Sequence, residues 1–218
     1  MKRLSLDLGG HAPVTVFSDV AIESVAKASV IGKFRNTGQV CICPTRFYAQ
    51  QAIAQDYLEA CVEETKKLKL GNGLDPEVNI GPMFEARALD KADAIVQDAT
   101  SKGATCLLGG GRSQQFERGY FYNPTVLTDI SSQMAIMTEE PFSPVMPILS
   151  FDQVDEAIEK ANDTVFGLAG YVLTNDLSVA FKMAEGQEFG TIGINDTVPA
   201  TPQAPFGGLK ESGIGREN

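Results

Sequence analysis

Phe34-Arg35-Asn36-Thr37-Gly38-Gln39-Val40-Cys41, followed at once by Ile42-Cys43, is the segment of this 218-residue chain whose residue types can do covalent chemistry. A thiol placed just after Asn, Gly and Gln sits on a tight turn, where main-chain N–H groups can face whatever bonds to sulfur. Thiolate attack on a carbonyl needs that pairing of a reactive sulfur with donors aimed at the developing oxyanion. The bland alternative for Cys41 is a buried small hydrophobe. The chain has one histidine, His11, beside Gly10. A Cys–His or Ser–His–Asp hydrolase is therefore starved of its imidazole base, and Cys41-x-Cys43 with a single His makes a poor zinc site. His11 reads as an ordinary loop residue, so the thiol must be activated another way.

The elements that must position this segment follow from periodicity and turn residues. Leu4 to Leu8 and Pro13 to Phe17 read as short strands around a Gly9-Gly10 turn. Ser18 or Asp19 is placed to cap a helix running to about Phe34. Thr45 to Gln50 alternates as a strand, and Ala52 to Leu68 as an amphipathic helix. A second long helix spans about Glu85 to Lys102, and Ala104 to Leu108 reads as a short buried strand. Gly119 to Ile130 is extended, with Pro124 forbidding helix there. Val145 to Phe151, Leu168 to Leu173 and Thr191 to Asn195 read as strands, with helices at Gln153 to Asn162 and Leu177 to Glu185 between them. This rhythm predicts one α/β domain, a mostly parallel sheet in a three-layer αβα arrangement. Gly109-Gly110-Gly111 and Gly207-Gly208 are not phosphate loops by spacing, and no nucleotide-binding βαβ unit is visible.

A formal charge of −10 and a pI near 4.6 exclude a basic nucleic-acid face. No run of 18 apolar residues offers a membrane span. Met1-Lys2-Arg3 leads into Leu-Ser-Leu-Asp rather than an apolar signal core, and a cytoplasmic protein is the expectation. Four cysteines in this length do not make a disulfide scaffold.

The cysteine segment resembles the catalytic loop of the aldehyde dehydrogenase superfamily, with Cys41 as nucleophile. Three further segments carry the resemblance through the chain: Ser5-Leu6-Asp7-Leu8-Gly9-Gly10, Glu139-Glu140-Pro141-Phe142-Ser143-Pro144, and Pro205-Phe206-Gly207-Gly208-Leu209-Lys210-Glu211-Ser212-Gly213. The resemblance implies that residues 1–218 form a catalytic domain lacking the nucleotide-binding half and the C-terminal oligomerisation segment. It implies an aldehyde oxidised through a Cys41 thiohemiacetal and thioester, with NAD or NADP as hydride acceptor at a site incomplete in this chain. A small-molecule aldehyde is the implied partner, and the full-length form is expected to be a homo-oligomer.

Residue by residue, Asp7 falls where the family has a Glu base, one methylene shorter, and its other reading is a polar residue at a strand end. Glu140 and Phe142 match residues that hold the nicotinamide ribose and back its ring, and Ser143 stands where Gly is usual. Arg35, six residues before Cys41, resembles the arginine of the succinate-semialdehyde dehydrogenase branch that grips the distal carboxylate, a task suited to a guanidinium fork. Cys43 in the Cys-x-Cys pair resembles that branch's disulfide switch, or is an idle neighbour. Thr201 adjoins Ala200, where the branch has Ser, so other carboxylate-bearing semialdehydes stay open. Asn195 and Phe206 look like pocket residues, Phe206 equally a core residue. Against the enzyme reading stand a non-catalytic module of the same fold and a thiol redox module, the latter weakened by the absence of C-x-x-C.

Overall fold

Along four segments the side chains alternate between two destinations. Ala12, Val14, Val16, Phe47, Ala49, Met146, Ile148, Ala169, Tyr171 and Leu173 enter one hydrophobic core, while Tyr48, Val145, Phe151 and Val172, at intervening positions, enter a second. Period two with both faces apolar belongs to a sheet covered on both sides. The computed structural model, which describes every residue except Met1 and Arg3, has that sheet.

The strands are β1 (Leu6–Asp7), β2 (Ala12–Val16), β3 (Pro44–Gln50), β4 (Thr105–Leu108), β5 (Thr125–Thr128), β6 (Val145–Phe151), β7 (Phe166–Gly167), β8 (Ala169–Leu173), β9 (Thr191–Ile194), β10 (Leu209–Lys210) and β11 (Gly213–Ile214). The helices are α1 (Ile22–Phe34), α2 (Ala54–Lys66), α3 (Ala86–Ser101), α4 (Ala135–Thr138), α5 (Val154–Asn162) and α6 (Leu177–Gly186). Seven strands form the main sheet in the order β4-β5-β6-β3-β2-β8-β9. Its pairings are parallel except β4 with β5. Helices α1 and α2 bury their apolar residues in the first core, and α3, α5 and α6 in the second. The structure is mixed α/β, helices on both faces of a mostly parallel sheet.

Four expectations need correction. Residues 105–108 form an exposed antiparallel edge strand, not a buried one; β4 follows α3 by a tight turn and, among the described residues, has no strand on its far side. Helix α1 starts at Ile22 without a side-chain cap, because the Asp19 carboxylate instead accepts from Thr174 Oγ1 (2.9 Å) and Asn175 N–H (2.8 Å). The first strand shrinks to Leu6–Asp7 and pairs with β11 outside the main sheet. His11 is in a loop but fully buried, its Nδ1 2.8 Å from Thr45 Oγ1 and its Nε2 3.0 Å from the Met137 carbonyl oxygen. The N-terminal Met1-Lys2-Arg3 reading falls partly outside the described residues.

The loops before β2, β3, β6 and β8 hold Gly9-Gly10, Cys41, Glu140 to Ser143, and Leu168, respectively. Since these four strands are parallel neighbours, all four loops meet at one edge of the sheet, the N-terminal one. That edge carries the candidate site.

Candidate active site

The cysteine loop is built from unusual backbone. Helix α1 ends with Phe34 buried, and three successive residues, Asn36, Thr37 and Gly38, take left-handed φ values of 49°, 59° and 76°. Such strain persists only where surroundings over-determine it, and it clusters at functional sites. Here Asn36 Nδ2 donates to the Gln39 carbonyl (2.9 Å), Gln39 Nε2 donates to the Asn36 carbonyl (3.2 Å), and Thr37 Oγ1 donates to the Gly81 carbonyl (3.1 Å). Gln39 Oε1 accepts from Phe84 N–H at 2.9 Å. Gly38 cannot be replaced, for a Cβ there would lie 2.3 Å from the Ser143 carbonyl oxygen. The chain then closes a turn, Cys43 N–H to Val40 carbonyl at 2.9 Å, with Cys41 as its second residue. Tyr171 Oη donates to the Ile42 carbonyl at 2.5 Å and pins the turn to the sheet.

Three segments touch at Cys41. A Cβ on Gly10 would meet the Cys41 carbonyl oxygen at 2.3 Å, and one on Gly9 would meet Glu140 Oε2 at 2.6 Å. Gly10 N–H donates to Glu140 Oε1 at 3.0 Å, and Lys91 Nζ donates to the Glu140 carbonyl at 2.5 Å. Glycine is needed at both turn positions because backbone and carboxylate approach so closely. Asp7 pairs with Gly213 across β1 and β11. The C-terminal motif holds this strand from the other side: Ser212 Oγ donates to the Gly9 carbonyl (2.7 Å) and accepts from Gly167 N–H (2.9 Å), and Leu8 N–H donates to the Ser212 carbonyl (3.0 Å). The motif is a clamp on the glycine turn.

The electrostatics of this edge are negative. Burial, and after it the Asp7 carboxylate, push the half-buried Cys41 thiol above the ordinary range, with Glu140 adding to the shift. The nearby N–H groups of Ile42 and of Cys41 itself pull the other way by favouring negative charge on the sulfur. Those are the donors a thiolate or an oxyanion on the attached carbon would use. Burial also raises Glu140, opposed by the Gly10 N–H and Lys91, and burial followed by Glu217 raises Asp7. A raised carboxylate beside a nucleophile is a better base than an ordinary one.

Phe142 is 39% exposed on a backbone with φ of 43°. It borders a groove of about 540 Å³ that also takes in Asn36, Gln39, Met83 and Phe84. An exposed aromatic face beside a half-buried carboxylate suits a flat cationic ring with hydroxyl groups attached. Glu140 and Phe142 therefore fit one wall of a nicotinamide site, the Glu140 carboxylate resting on the glycine turn. Ser143, by contrast, is fully buried with its hydroxyl unpartnered.

Arg35 is exposed at the start of the strained loop, and its charge is felt at Cys43 and Tyr171. Cys43 and Cys41 are both free thiols, with Cys43 buried against Lys33. Phe206 is partly buried, packs on the first core and bridges Glu217. Two residues read as pocket-lining are otherwise engaged. The Thr201 hydroxyl donates to Gln203 Oε1 at 2.5 Å, and the Asn195 amide bonds the Thr174 main chain in both directions. Cys41, Asp7 and Glu140 are thus brought together, with Arg35 at the rim.

Lys33 and Tyr171 escaped sequence reasoning, and Ser212 entered it only as part of a motif with no role of its own. Lys33 and Tyr171 lie inside an amphipathic helix and an apolar strand, where pattern marks them only as polar exceptions. Arg46 was also missed; it is fully buried and donates to the His11 carbonyl through both Nε (3.0 Å) and Nη2 (2.9 Å), and to the Ala161 carbonyl at 2.8 Å. It joins the glycine-turn loop to the end of α5.

The family model described as "Aldehyde dehydrogenase family" matches residues 1–218. The chain is 42% identical over 217 residues to a protein of Sinorhizobium fredii named probable succinate-semialdehyde dehydrogenase (NADP+), covering 100% of this chain and 44% of that one. It is 40% identical, again over 217 residues, to glutarate-semialdehyde dehydrogenase of Pseudomonas putida, with the same 100% and 44% coverage. Among solved structures, an Escherichia coli NADP-dependent enzyme superposes with a TM-score of 0.95 at 39% identity, over 99% of this chain and 44% of that one. A succinate-semialdehyde dehydrogenase from Burkholderia pseudomallei gives 0.93 at 36%, over 97% and 43%. The chain spans less than half the length of the curated relatives it matches.

Proposed function

The chain belongs to the aldehyde dehydrogenase family, and from that premise we propose that it is the catalytic-domain portion of a semialdehyde dehydrogenase using NAD or NADP. The observation that carries the reading is the convergence of Cys41, Asp7 and the Gly10-bound Glu140 at one sheet edge, with the Arg35 guanidinium exposed at its rim. Cys41 attacks the aldehyde carbon, and the N–H groups of Cys41 and Ile42 hold the oxygen that gains charge. When bound, the nicotinamide cofactor would supply the hydride acceptor for the oxidation, and Glu140 and Phe142 would hold and orient it from this side. Asp7 then removes a proton from the water that hydrolyses the thioester. Arg35 binds a carboxylate at the far end of the substrate, which favours succinate semialdehyde or a related semialdehyde. The chain alone offers one wall of the cofactor site and is expected not to turn over.

The test is a fusion of this chain to the nucleotide-binding half of a relative. Arg35→Ala should raise KM for succinate semialdehyde with little change in kcat, since a distal carboxylate contact acts alike in ground and transition states. A charge-assisted contact contributes about 1.5–3 kcal/mol, or roughly ten- to a hundred-fold in kcat/KM. Butanal, which lacks the carboxylate, should be unaffected; equal losses on both substrates would remove the semialdehyde assignment. One observation favours a second reading, a non-catalytic module: the base position holds the short side chain of Asp7 on an exposed strand. Turnover by the Asp7→Glu fusion together with none by the parent would support it.

A further inference from the structure

Lys33 lies in the last turn of α1 with no exposure to solvent, and the partner its nitrogen meets is a thiol rather than a carboxylate. Nζ stands 3.8 Å from Cys43 Sγ. Cys43 is 3% exposed, and its thiol donates back to the main chain of the same helix and to its own neighbour, at 3.3 Å from the Lys33 carbonyl and 3.4 Å from that of Pro44. Burial disfavours charge on both groups, holding Lys33 below and Cys43 above their ordinary values. The neutral amine carries the lone pair that can attack sulfur, burial favours that form, and Nζ is already directed at one sulfur.

We propose that Lys33 and Cys43 form an oxidation-driven covalent cross-link between helix α1 and the turn that carries Cys41. The oxidant is a peroxide. Hydrogen peroxide converts the Cys43 thiol to the sulfenic acid and leaves as water. The Lys33 nitrogen lone pair then attacks sulfur, the S–N bond forms, the S–O bond breaks, and hydroxide departs with a proton from nitrogen as a second water. Sulfenic acids condense in this way with backbone nitrogen, and an amine already in contact needs no chain movement to reach sulfur. The product, a sulfenamide, has two hydrogens fewer than the reduced pair. A dithiol reverses it by taking the sulfur and returning the amine. Peroxide is little larger than water, and the turn covering Cys43 is open at half-buried Cys41. The cross-link is independent of the aldehyde-oxidising reading, since it uses neither Cys41 nor a cofactor. It also competes with a Cys41–Cys43 disulfide for the same sulfur.

The experiment treats the purified chain with hydrogen peroxide, blocks remaining thiols with iodoacetamide in denaturant, and maps tryptic peptides. The cross-link should join Ala28–Arg35 to Asn36–Arg46, with two hydrogens lost, no cleavage after Lys33, and complete reversal by dithiothreitol. A Cys41–Cys43 disulfide stays inside the single peptide Asn36–Arg46, so the two products are distinct. Cys41→Ser should retain the link, whereas Lys33→Met, checked for folding by circular dichroism, should abolish it. An internal disulfide as the sole reversible product would overturn the proposal. So would Cys43 found as sulfinic acid, or unmodified, with normal cleavage after Lys33. Should Lys33→Met fail to fold, the linked peptide in Cys41→Ser decides alone.

Discussion

Replacing Ser212 by Ala tests whether the C-terminal motif clamps the catalytic turn. Ser212 is fully buried, and its hydroxyl makes two hydrogen bonds, to the Gly9 carbonyl at 2.7 Å and from Gly167 N–H at 2.9 Å. Alanine removes one oxygen and leaves almost no cavity, so the cost is that of two stranded main-chain groups. A buried group left unsatisfied costs about 1–3 kcal/mol. Gly167 is buried while Gly9 has partial access to water, which places Gly9 at the low end and the sum at about 2–4 kcal/mol. For a chain of this length each kcal/mol shifts Tm by about 2–4 °C, giving a fall of roughly 4–16 °C. Thermal melts followed by far-ultraviolet circular dichroism read this directly. Hydrogen exchange should add a local signature, faster exchange at Leu8 and Gly10 than in β3. A Tm within about 1 °C of the parent, or faster exchange spread evenly over the sheet, would refute the clamp.

Two further outcomes are expected. Iodoacetamide should label Cys41 ahead of Cys61 and Cys106 in the folded chain. Its rate should still be climbing above pH 9, because the Cys41 thiol is raised from 9.0, and Asp7→Asn should shift the profile to lower pH by removing a charge that opposes the thiolate; an unmoved profile would separate Asp7 from the site. The single histidine allows a clean stability test. Burial first, then Arg46, hold His11 well below 6.5, so the unfolded chain binds the proton that the folded chain refuses. Stability is therefore full above about pH 6.5 and falls below it, by up to roughly 1.4 kcal/mol per pH unit. Urea unfolding between pH 7 and 5 should show that slope and His11→Gln should flatten it; the same slope in both would assign it to carboxylates instead.

The sheet and helices were legible because both faces of the central strands are apolar, and no competing periodicity disturbs β3, β6 or β8. Residues 105–108 misled because an apolar run looks alike whether it lies at the sheet's centre or its edge; only tertiary neighbours decide exposure. The N-cap of α1 was misplaced because Asp19 has a distant partner, Thr174, which no local rule can see. Cys41, Asp7 and Glu140 could be named from motifs, but the close approach of their segments depends on two glycines whose missing Cβ atoms admit the Cys41 carbonyl and the Glu140 carboxylate. The resemblance named Thr201 and Asn195 as pocket residues, and the sequence does not show the bonds their polar groups already make, Thr201 with Gln203 and Asn195 with the Thr174 main chain. Lys33 and Arg46 would ordinarily be assigned to solvent, and the fold buries both.

The position of the site at the N-terminal edge of the parallel strands sets a polarity. In open parallel sheets ligands usually gather at the opposite edge, where following helices present their N-termini. Here the returning helices arrive carbonyl end first: α1 delivers its last turn to the cysteine loop, and α5 ends where buried Arg46 gathers the Lys160 and Ala161 carbonyls. Aligned peptide dipoles place about half a negative charge at such an end. A cysteine at a helix N-terminus has its thiolate favoured by its own fold; at this edge burial and the Asp7 carboxylate push the Cys41 thiol the other way. A positively charged visitor at this edge offsets that field and favours the thiolate, so the reactivity of the thiol is coupled to occupancy of the site.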